Sequence, residues 1–437
     1  MYRWLRLFAI PLVMVIALAG CGDDDDTTTT GDGDDGLSGS VSIFNAMEPA
    51  EGEALQAIID DLILSEVGYT AEIETSGSFE EQAKIRLEGG NPPDILMYPQ
   101  PGAVIEQARA GTIISLEELG FDIAELEARF GDYFLSLGEF EGQHYGLPTN
   151  INLKSMVWYP KDDFDTAGYA IPETWDELLA LSDEIVADGS SPWCVGFQSE
   201  GSSGWPATDW MEDIVLRTAG TDVYDRWATH EIPFDDPAIV TAAETFGEVM
   251  FKEGYVLGGA AQTTAIDFGD APNPMFNDPP GCWLHRQASF INGFFPEDAE
   301  AGVDYDWFPL PPIDQEGTLF AGELSVVTRN SPEVLDFLDR FSGEEVQCAQ
   351  GGVTASSRIS PNIDVGPDCY ANDILAAASE VLTTALAEGH GRFDASDLMP
   401  AAVGSGAFWT GMLDYINGES TDRAASVLAD IDSAWPT

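Results

Sequence analysis

The residues best suited to chemistry in this sequence are tryptophans that stand beside polar or turn-forming residues. Trp205 lies between a glycine and a proline, Trp283 is followed closely by Arg286, and Trp409 comes directly after Phe408. The apolar faces of sugar rings stack on indole rings, while carboxylates and amides bind the hydroxyl groups. This combination predicts a site that holds a small carbohydrate by stacking and hydrogen bonding.

Signatures of catalysis, metal binding and phosphate binding are missing from the sequence. The four histidines form no HExxH pattern, no GxSxG or CxxC occurs, and no lysine follows a glycine as a Walker A loop requires. One GxGxxG match, at Gly31, Gly33 and Gly36, lies among aspartates and follows no predicted strand. The 77 acidic residues make any pair of carboxylates uninformative about glycoside hydrolysis. We therefore expect no catalytic residue, cofactor or metal site, with a glycosidase kept as an alternative.

The elements that would position these side chains alternate between strands and helices. Strand patterns occur at 41–44, 71–75 and 94–98, helical patterns at 54–63, 236–253, 332–341, 372–388 and 407–416, and Gly/Pro-rich loops at 254–282 and 303–318. Ser78-x-x-Glu81 and Thr174-x-x-Glu177 have the form of capping boxes at helix starts. This alternation predicts an α/β fold.

The N-terminus has the pattern of a bacterial lipoprotein. Two arginines precede an apolar run, 7–19, which is shorter than the roughly 20 residues needed to span a bilayer. Small residues then lead to Cys21, as in a lipobox. We expect a signal peptide at 1–20, a lipid anchor on Cys21, and a disordered acidic tether at 21–39. The protein would then stand on the extracellular face of the membrane or in the periplasm.

Charge narrows the range of partners. The chain has 77 acidic and 17 basic residues, for a formal net charge of −60. Binding to nucleic acid requires a basic surface, so nucleic acid is excluded as a partner. The excess favours adaptation to a saline habitat over a merely solvated surface, because molar salt screens repulsion beyond about 3 Å.

The four cysteines after Cys21 suggest disulfide bonds, since their number is even and the chain is exported. Three connectivities are possible. We favour Cys348 with Cys369, which would close a short loop rich in Gly, Ser and Pro, and by elimination Cys194 with Cys282.

Several short motifs together resemble one protein family. The motifs are Gly89-Gly90-Asn91-Pro92-Pro93-Asp94-Ile95, Gly146-Leu147-Pro148 leading to Val157-Trp158-Tyr159, Gly204-Trp205-Pro206, and Leu398-Met399-Pro400 leading to Ala407-Phe408-Trp409. They extend over essentially the whole mature chain. The chain resembles extracellular solute-binding proteins (family 1) of ABC sugar importers. Within them it is similar to the maltose-binding type and its alpha-glucoside branch, which binds maltose, trehalose or sucrose.

The resemblance implies a type II periplasmic-binding-protein fold with two α/β lobes and a hinge. The expected lobes are 40–149 plus 322–367, and 150–321 plus 368–437. The chain should cross between them near Asn150 and again near 320 and 368. The positions expected to face the ligand are Glu48, Tyr98, Gln100, Asn152, Glu200, Trp283 and Trp409. Trp205, Arg286 and Glu323 are further candidates for ligand binding.

Function follows from the same resemblance. We expect a monomeric, non-enzymatic receptor that delivers a sugar to ABC permease subunits. A polyamine on the same fold is an alternative, because the acidic composition could supply an acidic cleft. Neighbours on a helix point about 100° apart, so Phe408 and Trp409 cannot both face one surface. The resemblance to the family, which has a Phe-Trp pair here, implies Phe408 in the core and Trp409 in the cleft.

The charge yields the first prediction. The melting temperature should rise steadily between low salt and about 1 M NaCl, because salt screens the repulsion among carboxylates. Calorimetric melting across that series measures it. A melting temperature that does not change with salt would favour a merely solvated surface.

Overall fold

Alternating strands and helices assemble into two main β-sheets with helices packed against them, and a small antiparallel pair, Glu139–Phe140 with Gln143–His144, forms a third sheet in the described residues. The computed structural model describes residues 36–353 and 358–436. The predicted signal peptide and Cys21 lie outside the described residues. Among the described helices, none is both long enough and apolar enough to cross a membrane.

Twelve strands are present in the described ranges. They are β1 Gly39–Asn45, β2 Tyr69–Thr75, β3 Ile95–Tyr98, β4 Glu139–Phe140, β5 Gln143–His144, β6 Leu147–Leu153, β7 Met156–Pro160, β8 Ser191–Trp193, β9 Cys282–Arg286, β10 Tyr305–Pro309, β11 Thr318–Val327 and β12 Gly391–Phe393.

Seventeen α-helices accompany them in the same ranges. They are α1 Pro49–Ile59, α2 Phe79–Glu88, α3 Pro101–Ala110, α4 Leu116–Leu119, α5 Ile123–Ser136, α6 Lys161–Ala167, α7 Trp175–Ala187, α8 Trp205–Ala219, α9 Thr221–Ala228, α10 Pro237–Met250, α11 Ala260–Thr263, α12 Pro332–Phe341, α13 Glu344–Gly351, α14 Asp373–Glu388, α15 Ala395–Leu398, α16 Trp409–Asn417 and α17 Ala424–Asp432. Segments with π-helical hydrogen bonding, Asp60–Leu64 and Ala402–Phe408, follow α1 and precede α16.

The first sheet has six strands in the order β12–β11–β3–β1–β2, with β6 also paired to β11. β1 lies parallel to β2 and to β3, so their carboxyl ends share one edge. β11 runs antiparallel to β3 and β6. All ten residues of β11 are buried, which fits a strand covered on both faces.

The second sheet has four strands in the order β10–β7–β9–β8. The chain passes between the two sheets after β6, before β11 and after β12. The last of these passages was expected near residue 368. It comes later, after β12, because β12 still belongs to the first sheet, where it pairs in parallel with the start of β11. Each sheet with its helices corresponds to one lobe of the predicted fold. The detailed lobe limits stay a prediction.

Most predicted elements are present, with two instructive differences. The segment 303–318 was expected to be a loop, but it contains β10, which pairs with β7. Prolines and glycines around this five-residue strand hide its pattern. The second difference is at α2, where the Ser78 hydroxyl makes no capping bond. Ser76 Oγ instead accepts from Ser78 N at 3.2 Å and from the Gln82 amide at 2.8 Å.

Both expected disulfides are present, which confirms the predicted pairing. Cys194 is bonded to Cys282 and Cys348 to Cys369. The first bond joins the residue after β8 to the first residue of β9, the parallel neighbour of β8. The second joins α13 to the short helical turn Pro367–Cys369.

A buried cluster of charges lies where the chain passes between the sheets. Lys154, just after β6, donates to Asp209 Oδ1 at 2.7 Å and to Asp394 Oδ2 at 2.6 Å. Asp213, one turn further along α8, accepts from Arg286 at 2.9 Å and from Ser155 Oγ at 2.7 Å. This ion cluster, which is buried, joins α8 to the segments that leave β6 and β12.

The two disulfides should stabilise the protein unequally. The cysteines are separated by 21 residues in the Cys348–Cys369 loop and by 88 in the Cys194–Cys282 loop. The chain-entropy model then gives losses of about 3 and about 4–5 kcal/mol when each bond is removed. Urea unfolding of the two Cys→Ala double variants measures this. Equal losses, or a larger loss for the short loop, would contradict the prediction.

Candidate ligand-binding cleft

A cleft with a cavity of about 160 Å³ lies between the two sheets. Its floor is formed by β6 and β11. One wall comes from the segments that follow β1 and β3, and the opposite wall comes from residues around α8, α15 and α16. Carboxyl ends of parallel strands are the usual place for ligands in open α/β sheets.

The floor of the cleft is shaped by a bulge between β6 and β11. Glu323 lies opposite Asn150, and the register then shifts so that Leu324 lies opposite Pro148. A bulge of this kind turns side chains toward a site. The oxygens Asn150 Oδ1 and Asn152 Oδ1 line the cleft without a hydrogen-bond partner among the described residues.

A buried arginine stands behind the acids of the floor. Arg358 donates to Glu323 Oε2 at 2.5 Å and lies 3.5 Å from Glu51 Oε1. Burial nevertheless raises the pKa of Glu51 to about 8, against the opposing effect of Arg358.

The wall from the first sheet carries polar groups at strand ends. Glu48 follows β1 and is the residue before α1, and Gln100 follows β3 and is the residue before α3. The Gln100 amide donates to Glu80 Oε1 at 3.0 Å, while its own Oε1 is buried without a partner in the described chain. Burial and the nearby Asp267 and Glu200 raise the pKa of Glu48.

The opposite wall is aromatic. Trp205 packs edge-to-face on Phe268 with ring centroids 5.1 Å apart, and Phe290 and Phe294 complete the group. The Lys154 ammonium lies 5.2 Å from the centroid of the Trp205 ring. Such a surface offers flat apolar faces at a site whose other walls are polar.

Trp409 completes this wall from the start of α16. Its side chain lines the cleft, is 4% exposed, and has no partner for Nε1 within the described ranges. The adjacent Phe408 points into the core, where it packs on Phe234 and Trp227 at 5.1 and 5.5 Å. The preceding Gly404 and Gly406 lie in the helical segment Ala402–Phe408, and Gly404 is required because a Cβ there would collide with the Ser396 carbonyl.

Comparison with known proteins identifies the family. Residues 48–347 match the family described as bacterial extracellular solute-binding protein. The chain belongs to this family. The members are binding proteins of ABC transporters, so the prediction of a receptor rather than an enzyme is confirmed.

Two curated relatives align with most of this solute-binding protein. It is 38% identical over 398 residues to the alpha-glucosides-binding periplasmic protein AglE of Rhizobium meliloti, covering 88% of this chain and 84% of AglE. It is 36% identical over 372 residues to the osmoprotective compounds-binding protein GgtB of Synechocystis sp., covering 84% of this chain and 86% of GgtB.

Solved structures share its architecture at low identity. The bacterial solute receptor AcbH superposes with a TM-score of 0.75 and 18% identity over 90% of this chain and 98% of AcbH. The maltose-bound T. maritima MalE3 superposes with a TM-score of 0.72 and 15% identity, and the match covers 90% of this chain and 98% of MalE3. The predicted two-lobed α/β fold is thereby confirmed.

The structure brings most of the predicted site residues of this solute-binding protein to the cleft. Those that line it are Glu48, Gln100, Asn152, Trp205, Glu323 and Trp409. Glu200 does not line the cavity itself, but its carboxylate lies against Gly77, which does, and a Cβ on Gly77 would lie 2.7 Å from Glu200 Oε2. Their contact with a ligand stays a prediction.

Three predicted site residues lie elsewhere, each held by partners in the core. Tyr98 points away from the cleft and packs edge-on against Phe79, 5.0 Å between centroids. Trp283 donates to Ser190 Oγ at 2.9 Å on the far side of the second sheet. Arg286 is 3% exposed and belongs to the buried ion cluster. The structure does not bring these three side chains to the cleft.

Other residues line the cleft without having been among the predicted ligand contacts. They are mainly polar and include Glu51, Glu80, Asn150, Lys154, Asp394 and Asp397. Asn150 could have been found, because it is two residues from Asn152 on a strand and therefore shares its face. Burial and the neighbouring Asp394 raise the pKa of Asp397 well above its ordinary value.

Substitution of the two adjacent aromatic residues at the start of α16 should affect different properties, ligand affinity at Trp409 and stability at Phe408. Trp409→Ala should weaken sugar binding about ten- to a hundredfold, because stacking contributes about 1–3 kcal/mol. Phe408→Ala should cost about 3–5 kcal/mol of stability through the cavity it leaves, more than Trp409→Ala.

Calorimetric titration and urea unfolding of both variants test this contrast. If Trp409→Ala unfolded the protein and Phe408→Ala only weakened binding, Phe408 would be the residue in the cleft and Trp409 the one in the core. Unchanged affinity in Trp409→Ala would remove this segment from the ligand site.

Proposed function

We propose that this protein captures an alpha-glucoside, such as maltose, trehalose or sucrose, and delivers it to the permease subunits of an ABC importer. The similarity to AglE supports this, since AglE is named for binding alpha-glucosides and shares 38% identity over most of both chains. The similarity to GgtB supports a second candidate ligand class, the osmoprotective compounds. Solved relatives at this fold are named for galactopyranose, raffinose and maltose, so the fold alone does not choose the sugar.

The observation that carries the proposal is a set of buried, unpartnered polar atoms on residues that line the cleft. Oxygens of Gln100, Asn150 and Asn152 have no partner among the described residues, and neither has Trp409 Nε1. Buried polar atoms are costly unless a hydrogen bond satisfies them. A ligand rich in hydroxyl groups supplies both the donors and the acceptor that these atoms need.

The aromatic wall supports a ring-shaped ligand with apolar faces. Trp205 and Trp409 would stack on sugar rings, while Glu48, Asn152 and Glu323 would bind hydroxyl groups from the opposite wall and the floor. A polyamine fits less well, because it has no flat face for the indoles and no acceptor for Trp409 Nε1.

Binding would close the two lobes. A ligand favours the closed form only if it contacts both walls in that form. The two walls already meet at the Ser202 hydroxyl, which donates to Glu80 Oε2 at 2.9 Å. The closed form with its sugar would be the one that docks on the permease.

The remaining expectations are part of the same proposal. The family acts outside the cell membrane, and the lipobox supports anchoring through a lipid on Cys21. The cleft lies within one chain, which is consistent with a monomer as the binding unit.

Calorimetric titration across candidate ligands tests the proposed function. Maltose, trehalose, sucrose, spermidine and ferric citrate form the series. We expect at least one uncharged disaccharide to bind tightly and the two non-sugars not to bind. Trp409→Phe should bind this sugar more weakly than the wild-type protein does. Trp283 is remote from the cleft, so Trp283→Phe is a matched control and should keep wild-type affinity. Binding of spermidine or ferric citrate alone would refute the proposal.

A further inference from the structure

A single carboxylate joins the two walls of the cleft. Glu80, in the first turn of α2, accepts from Gln100 Nε2 at 3.0 Å through Oε1 and from Ser202 Oγ at 2.9 Å through Oε2. Gln100 belongs to the wall of the first sheet, and Ser202 lies just before α8 in the opposite wall. All three residues line the cavity. We call them the Glu80 bridge.

The contact with Glu80 fixes which end of the Gln100 amide is free for a ligand. A carboxylate offers only acceptors, so the Gln100 nitrogen must face it and the oxygen must point elsewhere. Gln100 Oε1 has no hydrogen-bond partner among the described residues, and the residue is 5% exposed. Although Gln100 is the residue before α3, its side chain makes no capping bond. The bridge therefore leaves a buried acceptor that a ligand in the cleft can satisfy.

The core of the first lobe holds both Glu80 and Gln100 in place. Phe79, the residue before Glu80, is buried and packs on Phe44 and Tyr98 with ring centroids 5.1 and 5.0 Å apart. Tyr98 is the last residue of β3, two positions before Gln100. The two side chains of the bridge that come from this lobe thus extend from backbone that the same aromatic contact anchors.

The contact with Ser202 depends on a close approach between segments of the two lobes. Ser202 Oγ also lies 3.4 Å from the Gly77 carbonyl oxygen. A Cβ on Gly201 would be 3.0 Å from Ser78 Oγ, and one on Gly77 would be 2.7 Å from Glu200 Oε2. Glycines on both sides therefore allow the segment before α2 to touch the segment before α8. Separation of the walls would break the hydrogen bond from Ser202 to the bridge.

We propose that Glu80 is a positioning residue for ligand binding: it orients Gln100 as a hydrogen-bond acceptor and joins that wall to the opposite lobe through Ser202. This inference rests on the proposed function, because it concerns the ligand of the same cleft. A ligand that donates to Gln100 Oε1 meets an amide that is already oriented, so less rotamer freedom is lost on binding. The Ser202 hydrogen bond exists only when the walls are close, so it favours the closed form.

Substitution of Glu80 tests the bridge against a neighbouring acid. With whichever of maltose, trehalose and sucrose binds, Glu80→Ala should weaken binding about tenfold, because two hydrogen bonds to a carboxylate are lost. Glu81→Ala removes the same charge from the next position of α2, which is exposed and outside the cavity, and should keep wild-type affinity. Equal affinities in the two variants, measured by calorimetric titration, would overturn the inference.

Combined variants distinguish a positioning role from direct contact with the ligand. If Glu80 acts through Gln100 and Ser202, Glu80→Ala should cost only about threefold in either the Gln100→Leu or the Ser202→Ala background, since one of its two contacts is already lost. It should cost almost nothing when both backgrounds are combined. A tenfold loss in every background would mean that Glu80 contacts the ligand itself, and the positioning role would be wrong.

Failure of the proposed function is distinguishable from failure of the bridge. If maltose, trehalose and sucrose all fail to bind, the proposed function is refuted, and the bridge is judged without ligand. The side-chain amide NMR signals of Gln100, assigned by their loss in Gln100→Leu, should shift in Glu80→Ala and stay in place in Glu81→Ala, because Glu80 is the acid that accepts from this amide. No shift in Glu80→Ala, or the same shift in both variants, would contradict the bridge as well.

Discussion

The buried ion cluster at the junction of the two sheets is the interaction on which the rest of the structure depends. Lys154 holds Asp209 of α8 and Asp394, which follows β12, within 2.7 Å, and all three side chains are buried. Burial alone would raise the pKa of Asp394, but Lys154 and Ser396 hold it at about 2. Removal of one partner of such a cluster typically costs several kcal/mol, since the other charge remains buried.

The cleft derives its shape from this junction. Lys154 lies beneath the Trp205 ring, and Asp394 Oδ1 accepts from the Asp397 N–H and so begins α15. The Glu212 carboxylate accepts from the next N–H groups, those of Ala395 and Ser396. The chain then turns directly into the helical segment that presents Trp409. One cluster thus orients both tryptophans of the aromatic wall and also lies where the lobes must hinge.

Local features of the sequence were enough to predict the elements and part of the site. Apolar periodicity identified α12, and the Thr174 hydroxyl does accept from Glu177 N at 3.2 Å as the capping pattern predicts. The helical angle between neighbours required Phe408 and Trp409 to face different ways, and the family resemblance assigned Trp409 to the cleft. Lys154 and Asp394 could not be paired from local patterns, because they are 240 positions apart in the sequence. The surroundings of Trp283 could not be found locally either, since its partner Ser190 is 93 positions away in the sequence.

The acidic composition determines how the few basic side chains are distributed. Only 17 basic residues accompany 77 acidic ones, and several of the basic side chains, among them Lys154, Arg217, Arg286 and Arg358, are buried against acids of the junction and the floor. Buried charges must be paired, whereas carboxylates near solvent need no partner. When bases are this scarce, the interior takes them first, and most acids near the surface are left without a counter-charge.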